Sequence, residues 1–245
     1  MNETDEKKMQ DHLVKTGGKQ FLPDTRIPTV SADVVAPVNR DTFQDLPEAQ
    51  FSAIMNPHAD TIWRKCYGIP LSGRPGIVHI ENVAGTVMDT QGGIDKFILP
   101  TYSTSKWAVQ EKIRRNKFWS DPALRTLPNC PDVTFELKNG NGTFGEWTHN
   151  HSMLYLYAWA NSTLTGFDAW IIYNTSALKH KVWCENLDIL GVGKTMSNLS
   201  RSQGGCGGAS FQAVPMTYLT EVIMCASQNL RGNELPASAT HIRWF

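Results

Sequence analysis

The sequence predicts an α+β protein that is rich in strands, with an antiparallel β-sandwich of jelly-roll-like form in its C-terminal half. Past residue 128, short segments rich in aromatic and β-branched residues follow one another closely, which favours antiparallel strands over βαβ units. Turn sequences such as Asn139-Gly140-Asn141-Gly142 separate these segments. Prolines and helical patterns occupy the N-terminal half instead. We therefore expect an N-terminal helix and extended arm over residues 1–42, followed by one globular domain over 43–245.

The N-terminal half predicts short helices and an arm. Residues 5–15 form a polar helical pattern, and Pro23, Pro28 and Pro37 favour an extended segment over 16–42. The helical part of the domain, 43–128, predicts a helix broken by Pro57, a strand, a glycine-containing loop and a second helix. Their ranges are 47–65, 76–80, 85–96 and 103–119.

The C-terminal part, 129–245, alternates strand and turn signals. The predicted strands are 132–138, 143–149, 152–160, 167–174 and 180–184. A loop is expected at 202–210 and a final edge strand at 241–245, while 217–228 fits helix or strand. The expected fold is therefore a stack of strands with few helices.

Charge and composition limit the classes of partner and the location that we expect for this protein. The 245 residues carry a formal net charge of +0, and charged residues make up 19% of them. Without a basic stripe we expect no direct binding to nucleic acid. Apolar stretches are too short to span a bilayer, and the first residues lack the apolar core of a secretion signal. Five cysteines without a Cys-x-x-Cys pair favour a reducing location, cytoplasmic or within a virion.

The strand at 152–160 is apolar on both faces. Its alternation puts Tyr155, Tyr157 and Trp159 on one face and leucine and alanine side chains on the other. A strand of this kind needs a cover on each side, by the core and by a partner subunit. We therefore expect a homo-oligomer or higher assembly, with these three residues and Trp170 at the interface.

Two histidines form a candidate metal pair. His149 and His151 would point to one face of a strand, as the His-x-His pair of cupins does. The nearest carboxylate is Glu146, and no suitably placed glycine precedes the pair. We expect them to be surface histidines and assign no metal or other cofactor.

Residues 33–110 carry a series of motifs in a recognisable order. DVVAPVN at 33–39 precedes a helix that contains Asn56, GIVHIENVAGTV at 76–87 reads as a strand, and YSTSK places Tyr102 four residues before Lys106. This segment resembles the short-chain dehydrogenase/reductase family. The resemblance implies an NAD(P)-dependent oxidoreductase in which Lys106 lowers the pKa of Tyr102 for proton transfer and Asn56 holds a relay water.

The sequence departs from that family at two places. The position of the catalytic serine holds Glu81 or Asn82, neither of which has a hydroxyl. The nucleotide-binding sequence Gly-x-x-x-Gly-x-Gly does not occur ahead of residue 33. No catalytic residue is therefore assigned in the main interpretation.

The main hypothesis is a non-catalytic, self-assembling structural protein, such as a subunit of a virion shell, a tail or an inclusion body. Low charge, dense aromatic residues and a proline-containing arm favour it. Two alternatives remain open. One is the oxidoreductase that uses Tyr102 and Lys106, and the other is a carbohydrate-binding β-sandwich with an aromatic face.

Overall fold

The structure of this chain is a computed structural model. It describes residues 47–68, 79–124, 127, 130–138, 144–184, 194–197 and 210–245. The predicted helix at 5–15, the arm at 16–42, the turn at 139–142 and most of the loop at 202–210 lie outside the described residues.

Five α-helices and ten strands occur in the described ranges. The helices are α1 (Glu48–Tyr67), α2 (Val87–Gly92), α3 (Lys117–Ser120), α4 (Glu146–His149) and α5 (Thr175–Cys184). The strands are β1 (His79–Asn82), β2 (Lys96–Leu99), β3 (Trp107–Arg114), β4 (Asp132–Lys138), β5 (Leu154–Ala160), β6 (Phe167–Asn174), β7 (Lys194–Ser197), β8 (Ser210–Pro215), β9 (Ile223–Ala226) and β10 (Arg243–Trp244). Short 3₁₀ helices span Pro122–Leu124, Met216–Val222 and Gln228–Leu230. No helix among these is long and apolar enough to cross a bilayer.

The strands form two sheets. The larger has seven strands in the order β1-β2-β3-β5-β6-β9-β10, and the smaller has three in the order β4-β8-β7. The pairs β3–β5 and β9–β10 are parallel, and the other pairs are antiparallel. The predicted class, α+β and rich in strands, is therefore confirmed. Strands β1 to β3 extend this sheet into the part of the chain that we expected to be helical.

The central strand β5 is buried along its whole length. Tyr155, Tyr157 and Trp159 pack into a core that contains side chains of the small sheet and of α5. Leu156 and its face neighbours pack into a second core against α1. The large sheet thus has α1 on one face and the small sheet with α5 on the other, so this chain covers both faces itself.

A buried ion network joins α1 to the large sheet. The Lys96 Nζ atom, on β2, lies 2.7 Å from Asp60 Oδ1 of α1 and 2.9 Å from Glu111 Oε2 of β3. The Trp63 indole N–H, also on α1, donates to Glu111 Oε1 at 2.6 Å. Burial alone would lower the pKa of Lys96, but the carboxylates of Glu111 and Asp60 outweigh it and raise that pKa. The ammonium therefore stays charged between the two layers.

The predicted helix at 103–119 is wrong, because the middle of this range forms strand β3. Trp107, Val109 and Ile113 pack toward α1, as a period of two requires. Lys112 lies on the opposite face, where its Nζ meets Glu146 Oε2 at 2.8 Å. Pairing with β2 and β5 satisfies the backbone on both sides, and that tertiary context overrides a helical pattern in the sequence.

Three other element predictions are corrected. The segments 143–149 and 180–184, expected as strands, contain α4 and the end of α5. The 47–65 helix is confirmed, but α1 continues through Pro57. Met55 and Ala59, one turn apart on either side of that proline, are both fully buried, so packing holds the helix together across the missing N–H.

The ion network gives a testable cost. Lys96→Met leaves Glu111 buried without its cation, and loss of one partner of a buried pair typically costs about 3–5 kcal/mol of unfolding free energy. Urea unfolding followed by tryptophan fluorescence measures this loss. The double variant Lys96→Met/Glu111→Gln removes the uncompensated charge and should recover part of it. Equal stability of Lys96→Met and wild type would contradict a structural role for the network.

Candidate functional site

The structure places Tyr102 and Lys106 in the connection between β2 and β3, which is not helical. The Tyr102 side chain is 47% exposed, and its ring centroid lies 5.9 Å from that of Trp107. The Lys106 Nζ atom pairs with Glu81 Oε2, on edge strand β1, at 2.5 Å. The two residues therefore do not share a helical face.

The electrostatics of Tyr102 run against a proton-transfer role. Burial raises its pKa, whereas the oxidoreductase chemistry requires Lys106 to lower it. Asn56 lies half-buried in the middle of α1. The three residues that the family resemblance singles out thus gain no catalytic geometry from this fold.

The two candidate metal ligands lie on a short helix and the segment after it. His149 ends α4, and its ring centroid lies 6.2 Å from that of Phe144. His151 is exposed, and its backbone N–H donates to Gly92 O at 2.9 Å. Across the described ranges, no group of three metal-ligating side chains converges.

The four predicted interface residues are all buried inside this single chain. Tyr155, Tyr157 and Trp159 lie in the core shared with the small sheet, and Trp170 lies in the core beneath α1. The prediction that a partner subunit covers them is therefore wrong. The alternation behind it is confirmed, because the aromatic and aliphatic faces of β5 separate as expected.

Polar groups at the junction of the two sheets pair with one another. Gln110 Nε2 and Lys112 Nζ both donate to the carboxylate of Glu146. Arg114 Nε donates to the Tyr157 hydroxyl at 2.9 Å, and that hydroxyl accepts the Thr134 N–H of β4 at 3.2 Å. These contacts fasten β4 to the large sheet, which is a structural role.

An exposed aromatic surface lies beside this junction. Phe144 is 67% exposed and Trp183 is 50% exposed. The ring centroid of Trp183 lies 6.1 Å from that of buried Trp147, and Phe144 lies against His149. We call Phe144, His149, Lys179 and Trp183 the aromatic patch.

The Lys179 ammonium lies close to the exposed Trp183 ring of the aromatic patch and to the buried Trp147 ring. Its Nζ atom is 4.9 Å from the Trp183 ring centroid and 5.5 Å from that of Trp147, and it donates to the Asn150 carbonyl. Partial burial lowers its pKa. The patch therefore combines exposed rings with a partly dehydrated cation.

Local geometry explains the outward position of Phe144. A Cβ on Gly145 would lie 2.4 Å from Glu136 O, so only glycine allows the chain to cross β4 this closely. The turn of α4 then directs Trp147 into the core. Lys179 and Trp183 are four residues apart on α5 and share one face.

The sequence held a signal for α5 that the strand interpretation missed. The Asn174 side chain accepts the Ala177 N–H at 2.9 Å, as a residue that caps a helix does. Because Asn174-Thr175-Ser176 also fits a turn between strands, the sequence predicts a strand at 180–184 and not this helix.

Comparison with known proteins found no matching family model, no matching curated protein and no matching solved structure.

A partly buried carboxyl, that of Asp95 just before β2, predicts a pH effect. Burial raises the pKa of Asp95 from 3.8 to about 7, although its Oδ2 accepts the Glu111 N–H at 2.7 Å. The unfolded chain loses this proton near pH 4, so the stabilising contribution of the neutral acid is lost as pH rises toward 7. At about 1.4 kcal/mol per pKa unit, the loss is about 4 kcal/mol at most.

Asp95→Asn removes this titration. The variant should gain stability relative to wild type as pH rises from 5 to 8, measured by urea midpoints at each pH. A difference between variant and wild type that does not change with pH would count against the burial of this carboxyl.

Two glycines with positive φ test whether the backbone beside Asn150, whose carbonyl accepts a hydrogen bond from Lys179, is packed as closely as the structure shows. Gly93 and Gly85 have φ values of +56° and +78°, so alanine costs about 1 kcal/mol of strain at either position. A Cβ on Gly93 would also lie 2.9 Å from Asn150 Cα, whereas Gly85 has open space. Gly93→Ala should therefore lower the thermal midpoint more than Gly85→Ala. Equal losses would show that the backbone contact at Asn150 is unimportant.

Proposed function

We propose that this chain is a non-catalytic structural protein that associates with further copies of itself through the aromatic patch. The observation that carries the proposal is the exposure of Phe144 and Trp183 beside the half-buried Lys179. Exposed rings of this kind cost free energy in water, and contact surfaces are enriched in such residues. Tryptophan in particular is frequent among the residues that dominate binding energy.

Charge favours a second copy as the occupant. The formal net charge of +0 leaves no net repulsion between identical chains. The patch also contains both halves of a cation–π contact, because Lys179 of one copy can approach Trp183 or Phe144 of the next. A surface that complements itself suits symmetric association.

The expected assembly is a shell, a tail or an inclusion body, formed in the cytoplasm or within a virion. We take the two sheets as a sandwich of the jelly-roll kind, supported by the core that Phe135 and Val214 of the small sheet share with Tyr157 of the large one.

Light scattering coupled to size-exclusion chromatography tests the association. Wild type should elute above the 27.4 kDa of one chain at high concentration, and Phe144→Ser/Trp183→Ser should shift toward that mass. Tyr102→Ser is the matched control, because Tyr102 is an aromatic residue of similar exposure outside the patch. Its mass should equal that of wild type.

Two results would overturn the proposal. One is a wild-type monomer at every concentration, with no ordered particles in negative-stain microscopy. The other is an equal loss of association in the control variant. A monomer whose tryptophan fluorescence responds to glycans would favour carbohydrate recognition by the same rings.

A further inference from the structure

Two cysteines meet an arginine where α1 packs on the large sheet. Cys225 of β9 pairs in register with Arg243 of the edge strand β10. The Arg243 Nη2 atom donates to Cys225 Sγ at 3.2 Å, and the Tyr67 hydroxyl lies 4.0 Å from the same sulfur. The Cys66 thiol, at the C-terminal end of α1, is hydrogen-bonded to Cys225.

The surroundings shift the pKa values of the two thiols in opposite directions. The hydrogen bond from Cys66 lowers the pKa of Cys225 to about 7 against the effect of burial, and Arg243 lowers it further. The same hydrogen bond and burial raise the pKa of Cys66. Cys225 therefore carries the thiolate, and Cys66 keeps its proton. The titratable groups that face this pair are Lys65 and Tyr67 of α1, Tyr102 of the β2–β3 connection and Arg243 of β10.

The cover over Cys225 is thin. Its thiol is fully buried, but the Arg243 side chain above it is exposed. That arginine belongs to a two-residue strand at the edge of the sheet. A two-residue edge strand opens locally at low free-energy cost, so a small oxidant reaches the sulfur when β10 opens.

We propose that Cys225 and Cys66 form an oxidation-sensitive pair that hydrogen peroxide converts to a disulfide between β9 and α1. The geometry that carries this is the Arg243 cation at 3.2 Å from Cys225 Sγ and the Cys66 thiol, which packs in the same buried cluster as Cys225. A thiolate beside a cation, with a resolving cysteine at hand, is the arrangement that sensitive thiols share. The proposal does not depend on self-association.

The reaction balances in two steps. The Cys225 thiolate attacks one oxygen of hydrogen peroxide, so an S–O bond forms and the O–O bond breaks. The departing hydroxide takes up the proton that Cys225 released, which gives a sulfenic acid and water. The Cys66 sulfur then attacks that sulfur, the S–O bond breaks, and hydroxide leaves with the Cys66 proton as a second water. Two thiols are oxidised and one peroxide is reduced.

Peptide mapping of the full chain after peroxide treatment tests the proposal. The expected product is a Cys66–Cys225 disulfide that dithiothreitol reverses. Cys130 is the internal control, because it is also buried, and its sulfur is hydrogen-bonded to the Pro131 carbonyl and Thr217 rather than to an arginine or a second cysteine among the described residues. Alkylation of wild type by iodoacetamide should be at least about tenfold faster at Cys225 than at Cys130 at pH 7.

Variants separate position from packing. Cys66→Ser should stop the cross-link and leave Cys225 as a sulfenic acid that dimedone traps. Arg243→Gln should shift the pH midpoint of Cys225 alkylation upward, which a merely structural role would not do. Oxidation of Cys130 as fast as Cys225, or the absence of any Cys66–Cys225 cross-link in wild type, would overturn the proposal. The wild-type pH profile needs no variant, so the test survives a variant that does not fold.

Discussion

The structure depends on the dehydration of a central strand from both sides at once. The seven residues of β5 are all buried, so neither face of the large sheet is left to water at that point. Burial of aromatic and aliphatic side chains is the dominant favourable term in folding, and here it requires two covering layers. Helix α1 supplies one and the small sheet supplies the other. Because both come from the same chain, the most apolar strand of the large sheet is enclosed within that chain.

That arrangement determines where charges lie. Strand β3 runs beside β5 and carries Glu111 toward α1 and Lys112 toward the small sheet. Glu111 is buried and Lys112 is half-buried, and each has an opposite charge within 3 Å. An unpaired charge between the layers would cost on the order of several kcal/mol. The ion pairs of Lys96 and Lys112 thus help to fix the positions of α1 and α4 against the large sheet. The exposed rings of the aromatic patch lie outside this enclosed region, on the ends of α5 and the segment before α4.

Much of the strand framework could be predicted, because β4 alternates, and β5 and β6 are short segments rich in aromatic and β-branched residues. The separation of Tyr155 from Leu156 across β5 follows from a period of two alone. Strand β3 could not be predicted, because its sequence fits a helix and only its neighbours make it extended. The cover of β5 by α1 was likewise invisible, since it joins residues about a hundred positions apart. The aromatic patch could not be predicted, because the apolar residues of α4 and α5 show no strong helical period.

The topology has a consequence for how the chain reaches this state. Strand β3 pairs in parallel with β5, yet β4 lies between them in sequence and joins the other sheet. Strand β6 likewise pairs with β9, which comes much later in the chain. The sheet therefore cannot grow by adding neighbouring hairpins in order, and distant segments must close large loops before their contacts repay the lost entropy. Refolding should accordingly be slow. Until β9 pairs with β6, the backbone N–H and C=O groups along that edge of β6 are unpaired and can pair with another chain.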